Sequence, residues 1–161
     1  MTKTDAHKFF KYNQKTGKLF WRNKTGNRAV PGTEAGQINN AGYKIIGFKG
    51  KRYKAHQIIF MWMLGYFPKE VDHEDHNRLN NKWNNLKDAT RITNMKNISK
   101  RLDNKSGITG VSWDTEKQRW RAIINVNKKP KLLGRFTKKA DAVLARQRAE
   151  IKYGYHPNHG K

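Results

Sequence analysis

The chain has 161 residues, and its 35 Lys and Arg against 12 Asp and Glu give it a formal net charge of +23. So much positive charge opposes compaction, so we expect a polyanionic partner, with nucleic acid before an anionic membrane. The length allows one ordinary domain or two small ones. The absence of cysteine excludes disulfides and thiolate zinc sites. No lipidation signal, secretory signal or apolar run near the roughly 20 residues of a membrane span occurs, so no membrane association is expected.

Residues 1–55 are predicted to form short strands and turns, because their apolar residues are mainly aromatic or β-branched. The segment "FKGKRY" is predicted to form a hairpin centred on Lys49 and Gly50. The segment "HQIIFMWMLG" is long and apolar enough for a buried helix that ends at Gly65. The N-terminal part of the chain is therefore expected to combine small sheets with one apolar helix.

The middle of the chain is polar, and we expect a long loop there with two short strands, near 69–73 and 86–89. Thr90 is placed to cap a helix over residues 91–100. These elements complete a first module of residues 1–100. The polar residues 101–106 are predicted to be a linker, because they show no periodicity.

The pattern changes beyond the linker. Three strands separated by turn-like loops are predicted, and a helix over 138–154 follows them. In that helix Ala140, Val143, Leu144 and Ile151 have helical spacing, so we expect this face to pack on the sheet. The expected fold class is α+β, and the second module is a small three-stranded antiparallel sheet plus one helix. This module covers residues 107–154 and has its strands at 107–113, 119–126 and 131–136. Residues 155–161 are expected to form a tail.

A third of the acidic residues fall between Glu70 and Asp75, within an otherwise very basic chain. Carboxylates repel phosphates, so such a cluster weakens nucleic-acid binding unless a cation lies between them. A hard divalent ion takes Asp and Asn oxygens as ligands and stabilises the leaving oxygen of a scissile phosphate. A histidine beside the acid can deprotonate water near neutral pH. The cluster therefore indicates metal-assisted phosphodiester hydrolysis.

The spacing of Asp72-His73, Asn85 and Asn94, with the segments "YKAHQIIFMWMLGYFP", "VDHEDHNRLNNKWNNL" and "ATRITNMKN", resembles the HNH nuclease family and its ββα-metal fold. The resemblance covers roughly residues 42–97 and is to the form common in phage and intron-borne endonucleases. It implies that Asp72 and Asn94 are metal ligands and that His73 is the general base. It also implies that Asn85 holds the loop and orients His73 through its amide.

Many members of that family have a histidine at the position of Asn94, so Mg²⁺ or Mn²⁺ is expected here in place of a transition metal. Cleavage should fall below a pH of about 6.5 as His73 protonates, and the nearby acids would move that midpoint upward. The alternative is that "HEDHNRLNNKWNN" is only a long polar loop. In either case Asp75, Asn77 and Asn81 are expected to close the loop through hydrogen bonds from side chain to backbone. His56 is expected to pack at a helix end or in the core. His76 is expected to be an exposed loop histidine; the alternatives are that it contacts DNA or assists metal binding.

On "RWRAIINVN", alternate residues can pack on a helix while the others, Arg119, Arg121, Ile123 and Asn125, face DNA. The alternative is a solvated sheet surface. The order "SGITGVSW…QRWRAII…LLGRF…ADAVLA" over residues 105–154 resembles the Apetala2/ethylene-response-factor DNA-binding domain. The resemblance implies DNA binding through the sheet, but not the plant target sequence. The implied nucleic-acid-binding residues are Thr109, Ser112, Trp113, Arg119, Arg121 and Asn125.

Together the two resemblances imply a metal-dependent DNA endonuclease of the free-standing phage homing type. It would nick or cut duplex DNA at a preferred site in the cytoplasm of an infected bacterium and leave 5′-phosphate and 3′-hydroxyl ends. A monomer is expected, because the sequence has no heptad seam or long apolar edge and its charge opposes self-association. Two alternatives stay open, a DNA-binding regulator with an inactive nuclease module and an RNA-binding basic protein.

Overall fold

The structure is a computed structural model that describes residues 1–161 apart from the side chains of residues 92 and 93. The chain forms two compact units, residues 1–91 and 92–161. Each unit combines helix with small antiparallel sheets, so the mixed α and β composition that the sequence predicts is confirmed. Across the described residues, no helix has both the length and the apolar character that a membrane crossing requires.

The first unit begins with a helix that the sequence analysis misses, because strands and turns alone are predicted there. Thr2 Oγ1 accepts the Asp5 backbone N–H at 3.1 Å, and Asp5 Oδ2 accepts the Thr2 backbone N–H at 3.2 Å. This capping box gives hydrogen-bond partners to two backbone N–H groups that have none within the helix. The helix, α1, covers Lys3–Phe9.

Two small sheets follow α1. The first pairs β1 (Phe10–Asn13) with β2 (Lys18–Trp21), and the second has the order β3-β4-β5. The turn between β4 and β5 has Lys49 at φ 48° and Gly50 at φ 74°, as a two-residue hairpin requires. The predicted hairpin is therefore confirmed. The strands of the second sheet are Gln37–Ile38, Lys44–Phe48 and Lys51–Lys54.

The apolar helix α2 covers Ala55–Leu64 and forms the centre of the first unit. It ends at Gly65, which has a φ of 86° and donates its N–H to the Met61 carbonyl at 3.0 Å, so the predicted stop is confirmed. The helix packs its apolar side chains into one core with both sheets. Its fully buried members include Phe10, Ile46, Ile58, Ile59 and Phe60.

The predicted pair of short strands is present beyond α2. β6 covers Glu70–His73 and β7 covers Leu86–Ala89, and they pair antiparallel. A helix, α3, follows at Arg91–Met95 and is shorter than the predicted 91–100. The change from the first unit to the second falls after Arg91.

The second unit is built on a sheet of strand order β10-β9-β8, against which the helix α4 packs. The predicted packing face of α4 is wrong at Leu144 and Ile151, which are 46% and 83% exposed, whereas Val143 packs against the core of the unit as expected. The buried face has Ala142, Arg146 and Ala149, which recur at helical spacing. The elements are β8 (Val111–Asp114), β9 (Arg119–Val126), β10 (Lys129–Phe136) and α4 (Lys139–Lys152).

A buried arginine explains the packing of α4. Arg146 Nη1 donates to the Ile123 carbonyl of β9 at 2.6 Å, and its Nε donates to Glu150 at 2.8 Å. Gly110 lies directly against this guanidinium, where a Cβ would come within 2.7 Å of Nη1. Residues that sequence patterning treats as polar therefore make the helix–sheet contact. The C-terminal segment belongs to the same unit, since the Gly160 N–H donates to the Ile98 carbonyl at 2.8 Å.

Candidate active site

His73 is the last residue of β6, and only 5% of it is exposed. Its Nε2 lies 3.2 Å from Asn81 Oδ1. Its ring also packs edge-on against the ring of His56, with 5.2 Å between centroids, and lies 6.3 Å from the ring of Tyr43. The strand register places His73 opposite Leu86. The imidazole is therefore held by the strand backbone, by an amide and by two other rings.

Burial lowers the pKa of His73 below its usual value. The Asn81 hydrogen bond and the carboxylates of Asp75 and Asp72 act in the opposite direction, but burial outweighs them. The acids therefore act in the expected upward direction, but the net shift of the His73 pKa is downward. A lowered pKa keeps the imidazole neutral at pH 7, and a neutral imidazole can accept a proton.

His56 is the second residue of α2 and is 5% exposed, so the expected packing role at a helix end is confirmed. Burial, with smaller contributions from the positive charge of His73 and Lys54, lowers its pKa to about 3. Tyr43 lies edge-on to the His56 ring at 5.6 Å between centroids. His56 is therefore a neutral packing partner of the His73 ring at every pH at which a general base would act.

Two cations contact the outer side of this ring cluster through Tyr43. Lys54 Nζ lies 4.1 Å and the Arg78 guanidinium 5.0 Å from the centroid of the Tyr43 ring. Arg78 is also fixed by a 2.8 Å hydrogen bond from Nη1 to the Ala41 carbonyl. Positive charge held next to the buried histidine attracts a phosphate backbone and disfavours protonation of the ring.

The loop after β6 closes around the carboxylate of Asp75. Its Oδ1 accepts the Asn77 backbone N–H at 2.9 Å, and its Oδ2 accepts Asn80 Nδ2 at 2.6 Å. Asn81 donates its Nδ2 to a carbonyl of the same loop at 3.3 Å. Burial acts to raise the pKa of Asp75, but the hydrogen bonds to its carboxylate outweigh burial and lower it. The expectation that Asp75, Asn77 and Asn81 close this loop is confirmed.

Asn85 ties the end of the loop to its beginning. Its Nδ2 donates to Asp75 Oδ1 at 2.9 Å and to the Asn80 carbonyl at 2.8 Å. Its Oδ1 accepts the Asp75 backbone N–H at 3.1 Å. Within the described residues, no hydrogen bond joins the Asn85 amide to the His73 ring. Asn85 thus holds the loop, but its orienting action on His73 is not direct, because the loop uses both of its donor hydrogens.

The predicted metal ligands are Asp72, which is half-buried on β6, and Asn94, which is half-buried on α3 in the second unit. In the part of the chain that the structure describes, no three His, Cys, Asp or Glu side chains gather around a common point. A carboxylate and an amide are both oxygen donors, which suits a hard ion such as Mg²⁺ or Mn²⁺. Such an ion also takes water and substrate phosphate as ligands.

The sheet of the second unit has one polar face. Ser112, Arg121 and Arg135 lie in one row across its three strands. Arg119 and Asn125 are on the same face of β9, because side chains alternate along a strand. The sequence analysis missed Arg135, whose Nε donates to Asp114 Oδ2 at 3.0 Å. In the sequence Arg135 is the arginine of "LLGRF", but only the strand register shows that it lies opposite Arg121.

Two predicted DNA contacts lie elsewhere in this unit. Trp113 is opposite Trp120 in the strand register, and the two rings meet edge-on with 5.3 Å between centroids. Trp120 also packs with the cluster beneath α4, so Trp113 lies on the helix-facing side of the sheet, where 43% of it is exposed. Thr109 precedes β8, and its buried Oγ1 lies next to Gly160. The structure therefore groups Ser112, Arg119, Arg121 and Asn125, and it does not place Trp113 with them.

Comparison with known proteins finds a family match over this part of the chain. Residues 53–96 match the family described as HNH endonuclease. The match runs from the end of β5 through α2, β6, β7 and α3 and contains all four predicted nuclease residues. It supports an HNH nuclease module in this part of the chain, a class whose substrate is DNA.

A particular relative covers part of the chain. Over 65 residues, the chain is 35% identical to Protein 3.8 of Escherichia phage T7. The aligned stretch is 40% of this chain and 51% of that protein, so the chain spans about half the length of this relative. No solved structure matches the chain significantly.

Proposed function

We propose that the protein is a metal-dependent DNA endonuclease in which His73 is the general base. The observation that carries the proposal is a buried histidine that follows Asp72 on a strand of an antiparallel pair, within the residues that match the HNH endonuclease family. A histidine at the end of a strand, fixed on several sides, is positioned well enough to take a proton from one water molecule.

Each residue of the proposed site has one task in the reaction. His73 takes a proton from water, the water oxygen attacks phosphorus, and the P–O3′ bond breaks. Asp72 and Asn94 would hold a divalent ion, which would neutralise charge on the phosphate and stabilise the departing 3′-oxygen. Asn85 keeps the loop closed through Asp75. The products are a 5′-phosphate and, after the 3′-oxygen takes up a proton, a 3′-hydroxyl.

The second unit is the proposed DNA reader, of the Apetala2-like type. Arg119, Arg121 and Arg135 give one sheet face a concentrated positive charge, and Ser112 and Asn125 add hydrogen-bonding groups to it. A sheet face of this kind can enter the major groove and contact base edges. The first unit would grip the backbone, while this face would select the site.

A phage homing role, action in the cytoplasm of an infected bacterium and a monomeric state complete the proposal. Similarity to a phage protein supports the phage setting. One centre built on Asp72, His73 and Asn94 can align only one phosphodiester at a time, so the first product would be a nick. The two alternative functions predict different results. An inactive regulator would bind DNA without cutting it, and an RNA-binding protein would prefer structured RNA to duplex DNA.

The decisive experiment incubates supercoiled plasmid and phage DNA with the protein, with Mg²⁺, with Mn²⁺ and with chelator. We expect metal-dependent cleavage, with open circles accumulating before linear DNA, and end mapping should find 5′-phosphates. The His73→Ala variant is the matched control and should bind DNA without cutting it. Binding without cleavage by the wild type under every metal condition would favour the regulator. Tighter binding to structured RNA than to duplex DNA would favour the RNA-binding protein.

A further inference from the structure

The side chain of Asn81 meets the ring of His73 inside the first unit. Asn81 is 4% and His73 5% exposed, and Asn81 Oδ1 lies 3.2 Å from His73 Nε2. Polar atoms buried to this extent require hydrogen-bond partners, because an unsatisfied one has lost its bonds to water without replacement. The contact is therefore a specific bond that the fold must maintain.

The amide of Asn81 has a defined orientation. Its Nδ2 donates to the Leu79 carbonyl at 3.3 Å, which directs the amide oxygen toward His73. An amide oxygen only accepts hydrogen bonds, so the nitrogen facing it must carry the proton. A neutral imidazole has one N–H. With that hydrogen on Nε2, the lone pair that accepts a proton is on Nδ1.

The backbone of Asn81 is anchored from the opposite side. Tyr12 Oη donates to the Asn81 carbonyl at 2.8 Å, and the Tyr12 side chain is itself buried. Gly17, in the β1–β2 turn, lies so close that a Cβ there would come within 2.6 Å of the Asn81 carbonyl carbon. The hairpin formed by β1 and β2 thus gives Asn81 a rigid support, and the support extends to the His73 ring.

Asn85 makes no comparable contact in the described residues. Both hydrogens of its Nδ2 are used, one by Asp75 and one by the Asn80 carbonyl. Its action is therefore on the shape of the loop. The residue that contacts the base directly is Asn81.

We propose that Asn81 is the positioning residue of His73: its side-chain oxygen holds the Nε2–H tautomer, and Nδ1 is the atom that takes the proton from water. The inference rests on the proposed role of His73 as general base. The role that the family resemblance gives to Asn85 is then divided, with Asn85 closing the loop and Asn81 setting the ring.

Nuclear magnetic resonance of the ¹⁵N-labelled full chain tests the tautomer without any cleavage. Long-range ¹H–¹⁵N spectra at neutral pH, assigned with the His73→Gln variant, distinguish a protonated Nε2 from a protonated Nδ1. We expect wild-type His73 to be protonated at Nε2 alone, with a slowly exchanging ring N–H. Protonation at Nδ1 in the wild type would overturn the proposal, whatever the variants do.

Variants then test whether Asn81 is the cause. Asn81→Leu should lose the slowly exchanging ring N–H, whereas Asn81→Asp, which keeps an acceptor oxygen, should retain it. Asn77→Ala is the control, because Asn77 closes the same loop but bonds to Asp75 and Leu79. Its spectrum should retain the signal. A signal that persists unchanged in folded Asn81→Leu would overturn the proposal.

Kinetics give a second readout on the same variants. Asn81→Leu should lower kcat on the order of 10- to 100-fold, the range in which loss of a supporting partner lowers activity, with KM for DNA little changed. Asn81→Asp should restore part of that loss. If wild-type His73 had the expected tautomer but the protein cleaved no DNA, the proposed function would fail while the positioning of the ring would stand. Full activity in folded Asn81→Leu would reject Asn81 as a positioning residue.

Discussion

The buried histidine of α2 makes the stability of the protein depend on pH. His56 is 5% exposed, and burial lowers its pKa from 6.5 to about 3. Below pH 6.5 the unfolded chain takes up a proton at this residue, whereas the folded protein does not until the pH approaches 3. The contribution of neutral His56 to stability is therefore complete above pH 6.5 and is lost progressively as the pH falls toward 3.

The size of the loss follows from that interval. Each pH unit between the two pKa values costs about 1.4 kcal/mol of unfolding free energy. Lowering the pH from 7.5 to 5 should therefore cost about 2 kcal/mol through His56 alone, since 6.5 to 5 is the effective range. The full loss at pH 3 would approach about 5 kcal/mol, a large part of the stability of a small protein.

Urea unfolding at pH 7.5 and pH 5 measures this loss, with His56→Phe as the comparison. Phenylalanine fills a similar space beside Tyr43 and His73 but does not titrate. Carboxylates titrate mainly below this range, and His73, whose lowered pKa adds a loss of its own, is present in both proteins. The wild type should lose about 2 kcal/mol more than the variant. Equal losses in the two proteins would show that His56 is not held neutral by burial.

His73→Ala should abolish cleavage in a plasmid assay and leave DNA affinity, measured by gel-shift titration, nearly intact. Activity near wild type would exclude His73 as the general base. Asp72→Ala and Asn94→Ala should each cripple cleavage, and chelator should inhibit the wild type without unfolding it, which circular dichroism checks; a chelator-resistant enzyme would refute the metal mechanism. Gly17→Ala should cost more unfolding free energy than Gly50→Ala: both have a φ of 74°, but a Cβ contacts backbone only at Gly17. Equal losses of unfolding free energy for the two variants in urea would mean that the Asn81 backbone moves away from residue 17 at little cost.

Single turns and helix ends are the parts of the fold that short stretches of sequence predict correctly. The hairpin at Lys49 and Gly50 is one example, because a two-residue turn needs positive φ at both positions and glycine gives that freedom. Gly65 is another, since it ends α2 in a left-handed conformation. Helix α1 was missed because it has 7 residues, too few to show periodicity, and its signal is the Thr2–Asp5 capping box alone.

The packing face of α4 shows where patterning fails. Apolar periodicity favoured Leu144 and Ile151, but the fully buried residues of the helix are Ala142, Ala149 and Arg146. That arginine can be buried because the Ile123 carbonyl and the Glu150 carboxylate satisfy it. Glu150 lies one turn along the same helix, but the Ile123 carbonyl comes within reach only in the folded unit, so the helix sequence alone does not show that Arg146 is buried.

The candidate site also has one part that the sequence predicts and another that only the fold shows. A motif places Asp72, His73 and Asn85 in one hairpin and loop, and the structure agrees that the loop is closed through Asn85. The contact of Asn81 with the His73 ring could not be read from the sequence, because the run "NRLNNKWNN" offers several amides at similar distances. Only the fold shows which amide turns inward, since the neighbouring hairpin fixes the Asn81 backbone.

The position of the acidic residues in so basic a chain now has a physical account. Asp75 is used by the loop, where hydrogen bonds keep its carboxylate charged. Glu74 lies 3.8 Å from the ammonium of Lys87 on the paired strand. These two acids offset local positive charge and shape the hairpin, so neither needs to face DNA. Under the proposed mechanism a single carboxylate, that of Asp72, meets the phosphate, and it does so through a cation. A second acid there would add phosphate repulsion without adding a proton acceptor better suited to neutral pH than His73.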